Sequence, residues 1–271
     1  MWTEEEKTLL KDKIGKISYK EIAFLLNKKQ YEVNKKAKEL NIGPGKAWNT
    51  GTRTTKVNDN FFEIPNKLNS YWAGFLAADG SIGHLKYHKK INLQISQKDL
   101  EHLKKFVEDV SFTGKISVYT RKNLISMCNV SINSIKICED LEKNFGVVPK
   151  KTFILEPPSS LNDEQKDCFI AGYIDGDGCI RQYNANNKNY TSIDVRGTLE
   201  MIKFIKERFV EITKNGVFGN KFKCGSIFIE DLTKNHCRYK LSGKASDLII
   251  KKYMQYNIPL LERKWLKNLK G

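Results

Sequence analysis

The 271 residues contain only four histidines and six cysteines, and no C-x-x-C pair occurs among Cys128, Cys138, Cys168, Cys179, Cys224 and Cys237. Without ligand spacing of that kind, neither a zinc site nor a disulfide framework is signalled, and reduced, mostly buried thiols are expected. No apolar run approaches the ~20 residues that a bilayer demands, which argues against a helical membrane span. The opening MWTEEEKTLLKDK is acidic and lacks the charged-then-apolar pattern of a secretion signal. A soluble, unsecreted chain is therefore expected, in the cytoplasm of a prokaryote or phage-infected cell, or in an organelle matrix. Acidic residues are also outnumbered: 31 Asp and Glu stand against 47 Lys and Arg, a net charge of +16. The basic residues run along the whole chain. Such a field suits a polyanion, so nucleic acid is the partner to which charge alone points.

At 40% hydrophobic and 11% aromatic, the chain can bury a core as one large domain or two modest ones. Residues 1–43 read as three short helices, and two of their starts carry capping boxes, Thr3 with Glu6 and Ser18 with Glu21. Leu9, Leu10, Ile14, Ile22, Leu25, Leu26, Val33, Ala37 and Leu40 recur at helical spacing, and Trp2 can close the small core they make. The third helical segment carries Lys28, Lys29, Lys35, Lys36 and Lys38. A three-helix unit whose last helix is basic resembles a Myb-like or helix-turn-helix module, with Lys35 and Lys36 facing DNA; a helical hairpin with a solvated face is the plainer alternative. Residues 44–60, rich in Gly, Thr and Asn, read as a linker.

The remainder contains an internal duplication. Residues 72–82 read WAGFLAADGSI and 170–180 read IAGYIDGDGCI, with Asp79 and Asp177 at matching places. Downstream, 128–145 and 237–254 share a strand, a break and a helix, and each copy ends in a proline and a basic pair, VVPKK and IPLLERK. Two similar halves, 61–158 and 159–271, follow: an α+β fold of duplicated αββαββα units about a pseudo-twofold axis. Strands such as Ile91–Ile95 and Ile227–Ile229 alternate, so each antiparallel sheet should bury one face under helices and turn a polar face toward DNA.

WAGFLAADG and IAGYIDGDG resemble the LAGLIDADG signature of the homing endonucleases, and the resemblance covers 61–271. Gly74 and Ala78, and Gly172 and Gly176, lie four apart, small enough for two helix backbones to approach closely. Asp79 and Asp177 then end the two helices side by side, each followed by a glycine suited to a left-handed closing turn. Carboxylates there face both the helix dipole and each other, so a cation is expected, and oxygen ligands favour a hard ion such as Mg2+. The first copy departs from the signature at Ala77, where the second keeps Asp175.

What the resemblance implies is a site-specific double-strand DNA endonuclease. Its metal site would comprise Asp79 and Asp177 with Ala78 and Gly176. Mg2+ is the expected cofactor, with Mn2+ as a substitute and Ca2+ supporting binding with little cleavage. Gln97 becomes a water-positioning candidate, with Arg196 or Gly197 as its counterpart. Lys264, with Arg263 beside it, and Lys151 or Lys150 become the active-site lysines. Outward strand residues that would contact DNA are Lys86, Lys90, Asn92, Gln94, Arg121 and Lys122 in the first half, and Arg181, Gln182, Arg196, Lys221 and Arg238 in the second. Unequal halves imply a long non-palindromic duplex site read by a monomer without a protein partner. His84 and His88 fall in a hairpin and point to exposure or phosphate contact rather than a metal pair. An RNA maturase and a non-cleaving regulator of the same fold are the alternatives; two retained aspartates weigh against the regulator.

Overall fold

The computed structural model describes residues 2–14, 17, 19–40, 42, 55–85, 88–120, 126–185, 188–214, 224–231 and 233–265. Internal contacts divide the chain into two compact units, Met1–Thr54 and Thr55–Gly271.

The first unit holds α1 (Glu4–Lys13), α2 (Tyr19–Leu25) and α3 (Gln30–Glu39). Thr3 opens α1 with a reciprocal pair: Glu6 N donates to Thr3 Oγ1 at 3.2 Å and Thr3 N donates to Glu6 Oε2 at 2.9 Å. Ser18, the other expected cap, lies outside the described residues. Leu10, Ile22, Ala23, Val33 and Ala37 form the core, with Trp2, Ile14, Leu26 and Leu40 packed at its edge. Leu25 departs from expectation at 54% exposed: Ile22 and Leu26, four apart, take the inward stripe and leave Phe24 and Leu25 outside.

In the second unit α4 (Lys67–Asp79), β1 (Gly80–Leu85), β2 (His88–Ser96), α5 (Leu100–Asp109), β3 (Ser117–Thr120), β4 (Ser126–Asn133) and α6 (Ile135–Phe145) make one half. The order repeats in α7 (Asp163–Asp177), β5 (Gly178–Ala185), β6 (Lys188–Gly197), α8 (Leu199–Lys214), β7 (Ser226–Asp231), β8 (His236–Ser242) and α9 (Lys244–Met254), followed by the short α10 (Glu262–Trp265). The sheets are antiparallel with orders β1-β2-β4-β3 and β5-β6-β8-β7. This is the α+β architecture of two αββαββα halves read from the sequence. α4 and α7 begin alike, on capping boxes at Asn66/Asn69 and Asn162/Gln165.

The two sheets share one register. Gly80 pairs with Leu93 and Leu93 with Val130; Gly178 pairs with Val195 and Val195 with Tyr239. Leu93 thus corresponds to Val195 and Val130 to Tyr239, which also brings Cys128 into line with Cys237. All four of those core positions are fully buried or nearly so. Alternate residues along each strand turn the other way, which leaves one polar face per sheet. Inside the second half, Asp167 is fully buried and accepts from Arg208 Nε at 2.7 Å and Nη2 at 3.2 Å, an ion pair that the sequence did not announce. All six cysteines are unbridged and five are buried. Among the described residues, no helix is long and apolar enough to cross a membrane.

Candidate active site

α4 and α7 pass each other so closely that a side chain at the crossing is impossible. A Cβ on Gly74 would stand 1.9 Å from the Phe169 carbonyl oxygen, and one on Gly172 would stand 1.9 Å from that of Tyr71. One turn on, a Cβ on Gly176 would meet Ala78 Cβ at 2.2 Å and Asp79 Oδ2 at 3.4 Å. The helices therefore run in the same direction and end together at Asp79 and Asp177. The glycines that follow are not left-handed: Gly80 has φ −81° and Gly178 φ −102°, both extended. Space explains them instead, because a Cβ would lie 2.7 Å from the Leu76 carbonyl oxygen or 2.6 Å from that of Ile174.

Burial first, and then the charge of Asp177, raises Asp79 to about 6, against the pull of Lys264 and Lys151. Asp177 is raised by burial too, opposed by the same two lysines. Both lysines are buried and both cap carbonyls at the ends of these helices. Lys151 Nζ donates to Ala78 O at 3.1 Å. Lys264 Nζ reaches Asp175 O at 2.6 Å, Gly178 O at 2.7 Å, Ile174 O at 3.0 Å and Gly176 O at 3.3 Å. Lys150 is exposed, so Lys151 is the lysine that faces the aspartates. Burial holds both ammonium groups below the ordinary lysine range, with the aspartates pulling the other way.

Asp175 takes no place beside the two aspartates. It is buried and accepts from Tyr71 Oη at 2.7 Å, Leu261 N at 2.9 Å and Trp265 Nε1 at 2.6 Å. It thereby binds the segment around α10 to α7, a duty that Ala77 does not share in the first half.

Gln97 is exposed at the end of β2, where it starts a 3-10 turn, Gln97–Asp99. Its counterpart is neither Arg196 nor Gly197. The common register aligns Ile95 with Gly197, and the helices that follow begin at Leu100 and Leu199, so the three-residue turn Gln97–Asp99 has no equivalent in the second half. Two residues beyond Gln97, Asp99 is buried and accepts from Arg263 Nε at 2.6 Å and Nη2 at 2.7 Å. Asp99 and Arg263 were not foreseen as a pair; Asp99 adds to the charge that raises Asp79.

Lys90, Asn92 and Gln94 alternate with buried Ile91, Leu93 and Ile95 and share the polar face of the first sheet. Arg181, Arg196 and Arg238 share that of the second, where Arg196 Nε meets Glu230 at 3.2 Å and Arg238 Nε meets Asp194 at 2.8 Å. Gln182 was read as a neighbour of Arg181 on that face, but successive strand residues point oppositely, and it lies on the other face, paired with Thr191. In the first unit Lys35 is exposed, while Lys36 is tied to Glu39 at 2.6 Å. Lys86, Arg121, Lys122 and Lys221 lie outside the described residues. A cleft of about 470 Å³ opens beside Asp177 and is bordered by Lys151, Arg181, Arg196, His236 and Arg238.

A divalent cation fits this site. Two desolvated carboxylates sit together, and the Ala78 and Gly176 carbonyls each keep a second lone pair beyond the lysine bond. Among the described residues no group of three or more His, Cys, Asp or Glu could hold a metal. Asp79 and Asp177 would therefore need water or phosphate oxygens to complete a shell, the pattern that Mg2+ prefers.

No protein-family model and no curated protein matches the sequence. Solved structures do. A structure of variants of the homing endonuclease I-DmoI is similar to this chain with a TM-score of 0.50 at 11% identity, over 78% of this chain and 98% of that one. The meganuclease I-SmaMI bound to uncleaveable DNA gives 0.47 at 15% identity, over 74% and 90%. The LAGLIDADG homing endonuclease I-GzeII in complex with its DNA target gives 0.46 at 13%, over 74% and 88%. At such identities the likeness is one of architecture, and the described residues of the second unit have the two-domain LAGLIDADG fold, as in I-DmoI.

Proposed function

We propose that the chain is a site-specific double-strand DNA endonuclease that uses a divalent metal, most simply Mg2+. The observation that carries this reading is the pairing of Asp79 and Asp177 at the ends of adjoining helices, desolvated and opposed by buried Lys151 and Lys264. Two repelling carboxylates are a cost to the fold that a purely structural turn has no use for. Each half offers one polar sheet face to a duplex, and a ribbon of antiparallel strands can lie in the major groove. Asp79 and Asp177 would hold the ions, with Ala78 and Gly176 contributing backbone oxygens. When bound, the metal supplies positive charge to the attacking and leaving oxygens of the phosphodiester. Lys151 and Lys264 add to that field from fixed positions. Gln97 would orient water in the first half. Because the second half has no equivalent of the Gln97–Asp99 turn, the two strands would be cut at unequal rates.

The test begins with a randomised duplex library and Mg2+, with cut ends sequenced. A plasmid bearing the site so found is then treated with wild type, Asp79→Asn and Asp177→Asn, with binding followed by gel shift in Ca2+. Both variants should bind and lose about 100-fold or more in double-strand cleavage. Full cleavage by either variant would falsify the assignment, and a wild type that binds without cutting would leave the maturase or regulator readings in its place.

A further inference from the structure

The shared register sets unlike chemistry at equivalent points of the two polar faces. Where the first sheet carries Asn92, Gln94 and Asn129, the second carries Asp194, Arg196 and Arg238. The first three are uncharged amides; Asn92 and Gln94 each present a donor beside an acceptor, which matches the N6 and N7 edge of adenine, whereas Asn129 Oδ1 is buried.

On the second sheet Arg238 is already oriented. Its Nε donates to Asp194 Oδ1 and Oδ2 at 2.8 and 3.0 Å, and its Nη2 donates to Oδ2 as well. Arg238 in turn holds the Asp194 carboxyl below the usual carboxylate range, so the clamp stays ionised. A guanidinium has five N–H groups. With Nε–H and one Nη2–H engaged, the outer Nη2–H and one Nη1–H form a fixed fork pointing away from the carboxylate, and such a fork matches O6 and N7 of guanine. Arg196 sits directly across the strands from Arg238.

Resting on the proposed reading as a DNA endonuclease, we infer that the halves read half-sites of different composition: A·T pairs beneath the first sheet and G·C pairs beneath the second, with Arg238, clamped by Asp194, fixing one guanine.

The experiment is selection of bound duplexes from a random library by the full chain in Ca2+, with wild type, Arg238→Gln and Asp194→Asn sequenced in parallel. The wild type should enrich a site with one A·T-rich and one G·C-rich half. Arg238→Gln should lose about tenfold or more of the guanine preference at a single base pair, while selection at the other positions persists and reports a folded protein. Asp194→Asn should weaken the same preference without creating another. An unchanged motif in Arg238→Gln overturns the inference, as does a wild-type site whose G·C pairs are shared evenly between halves. No enriched sequence at all in the wild type would overturn the broader reading of a site-specific DNA binder.

Discussion

His102 is 4% exposed, its ring 4.9 Å from those of Trp72 and Phe75 and its Nε2 3.0 Å from Tyr71 Oη. Burial first, then the charges of nearby basic side chains, lowers it to about 4. An imidazole that stays neutral when folded but charges when unfolded adds stability that is complete above about pH 6.5 and is lost as pH falls toward 4. Urea unfolding between pH 7 and pH 4.5 should therefore give a loss on the order of 2–3 kcal/mol for this group, and His102→Gln should flatten the slope. A variant with the wild-type slope would show the acid sensitivity to lie elsewhere. Legibility at this scale divided by range. Asp79, Asp177 and Lys264 stood in repeated motifs, and position within the repeat was enough to find them. Asp99 and Arg263 are 164 residues apart, and no local pattern couples two charges over such a distance. Gln182 was misread because adjacency in sequence is opposition in a strand.

Between elements, the crossing of α4 and α7 depends on what two residues lack. Gly74→Ala and Gly172→Ala each press a methyl group into a carbonyl oxygen of the opposite helix backbone, which cannot turn aside as a side chain would. Either should cost about 3 kcal/mol or more, or prevent folding. Gly83→Ala meets only the flexible Lys90 side chain at 3.3 Å and should be close to neutral. Thermal unfolding of the three variants checks this, and parity among them would contradict the close approach. The long elements were readable because burial on one side imposes a period: β2 and β6 alternate, and the αββαββα order repeats. α10 has four residues and the Gln97–Asp99 turn three, too short for any period. Their positions follow from contacts to Asp175 and Asp99, which only the folded chain brings together.

As a whole, the chain comprises two units with separate cores. Removing residues 1–54 should leave the second unit folded, with unchanged far-ultraviolet dichroism per residue of the remaining elements. If α3 contacts phosphate through Lys35, the shortened protein should also bind its duplex more weakly and with a shallower dependence on salt. Affinity and salt slope equal to those of the full chain would show the basic helix to be a solvated surface. The contacts divide the chain between Thr54 and Thr55, whereas the role of the first unit depends on a partner that no internal contact reveals. The clasp on α7 also imposes an order in time. Lys264 and Trp265, which hold the Asp175 end of that helix, are synthesised 87 and 88 residues after Asp177. At ~5–20 residues per second the ribosome needs roughly 4 to 18 s to add them. Throughout that interval the nascent chain has both aspartates and Lys151 but lacks Lys264, so the pair of lysines that opposes the two carboxylates is complete only after both sheets have been made.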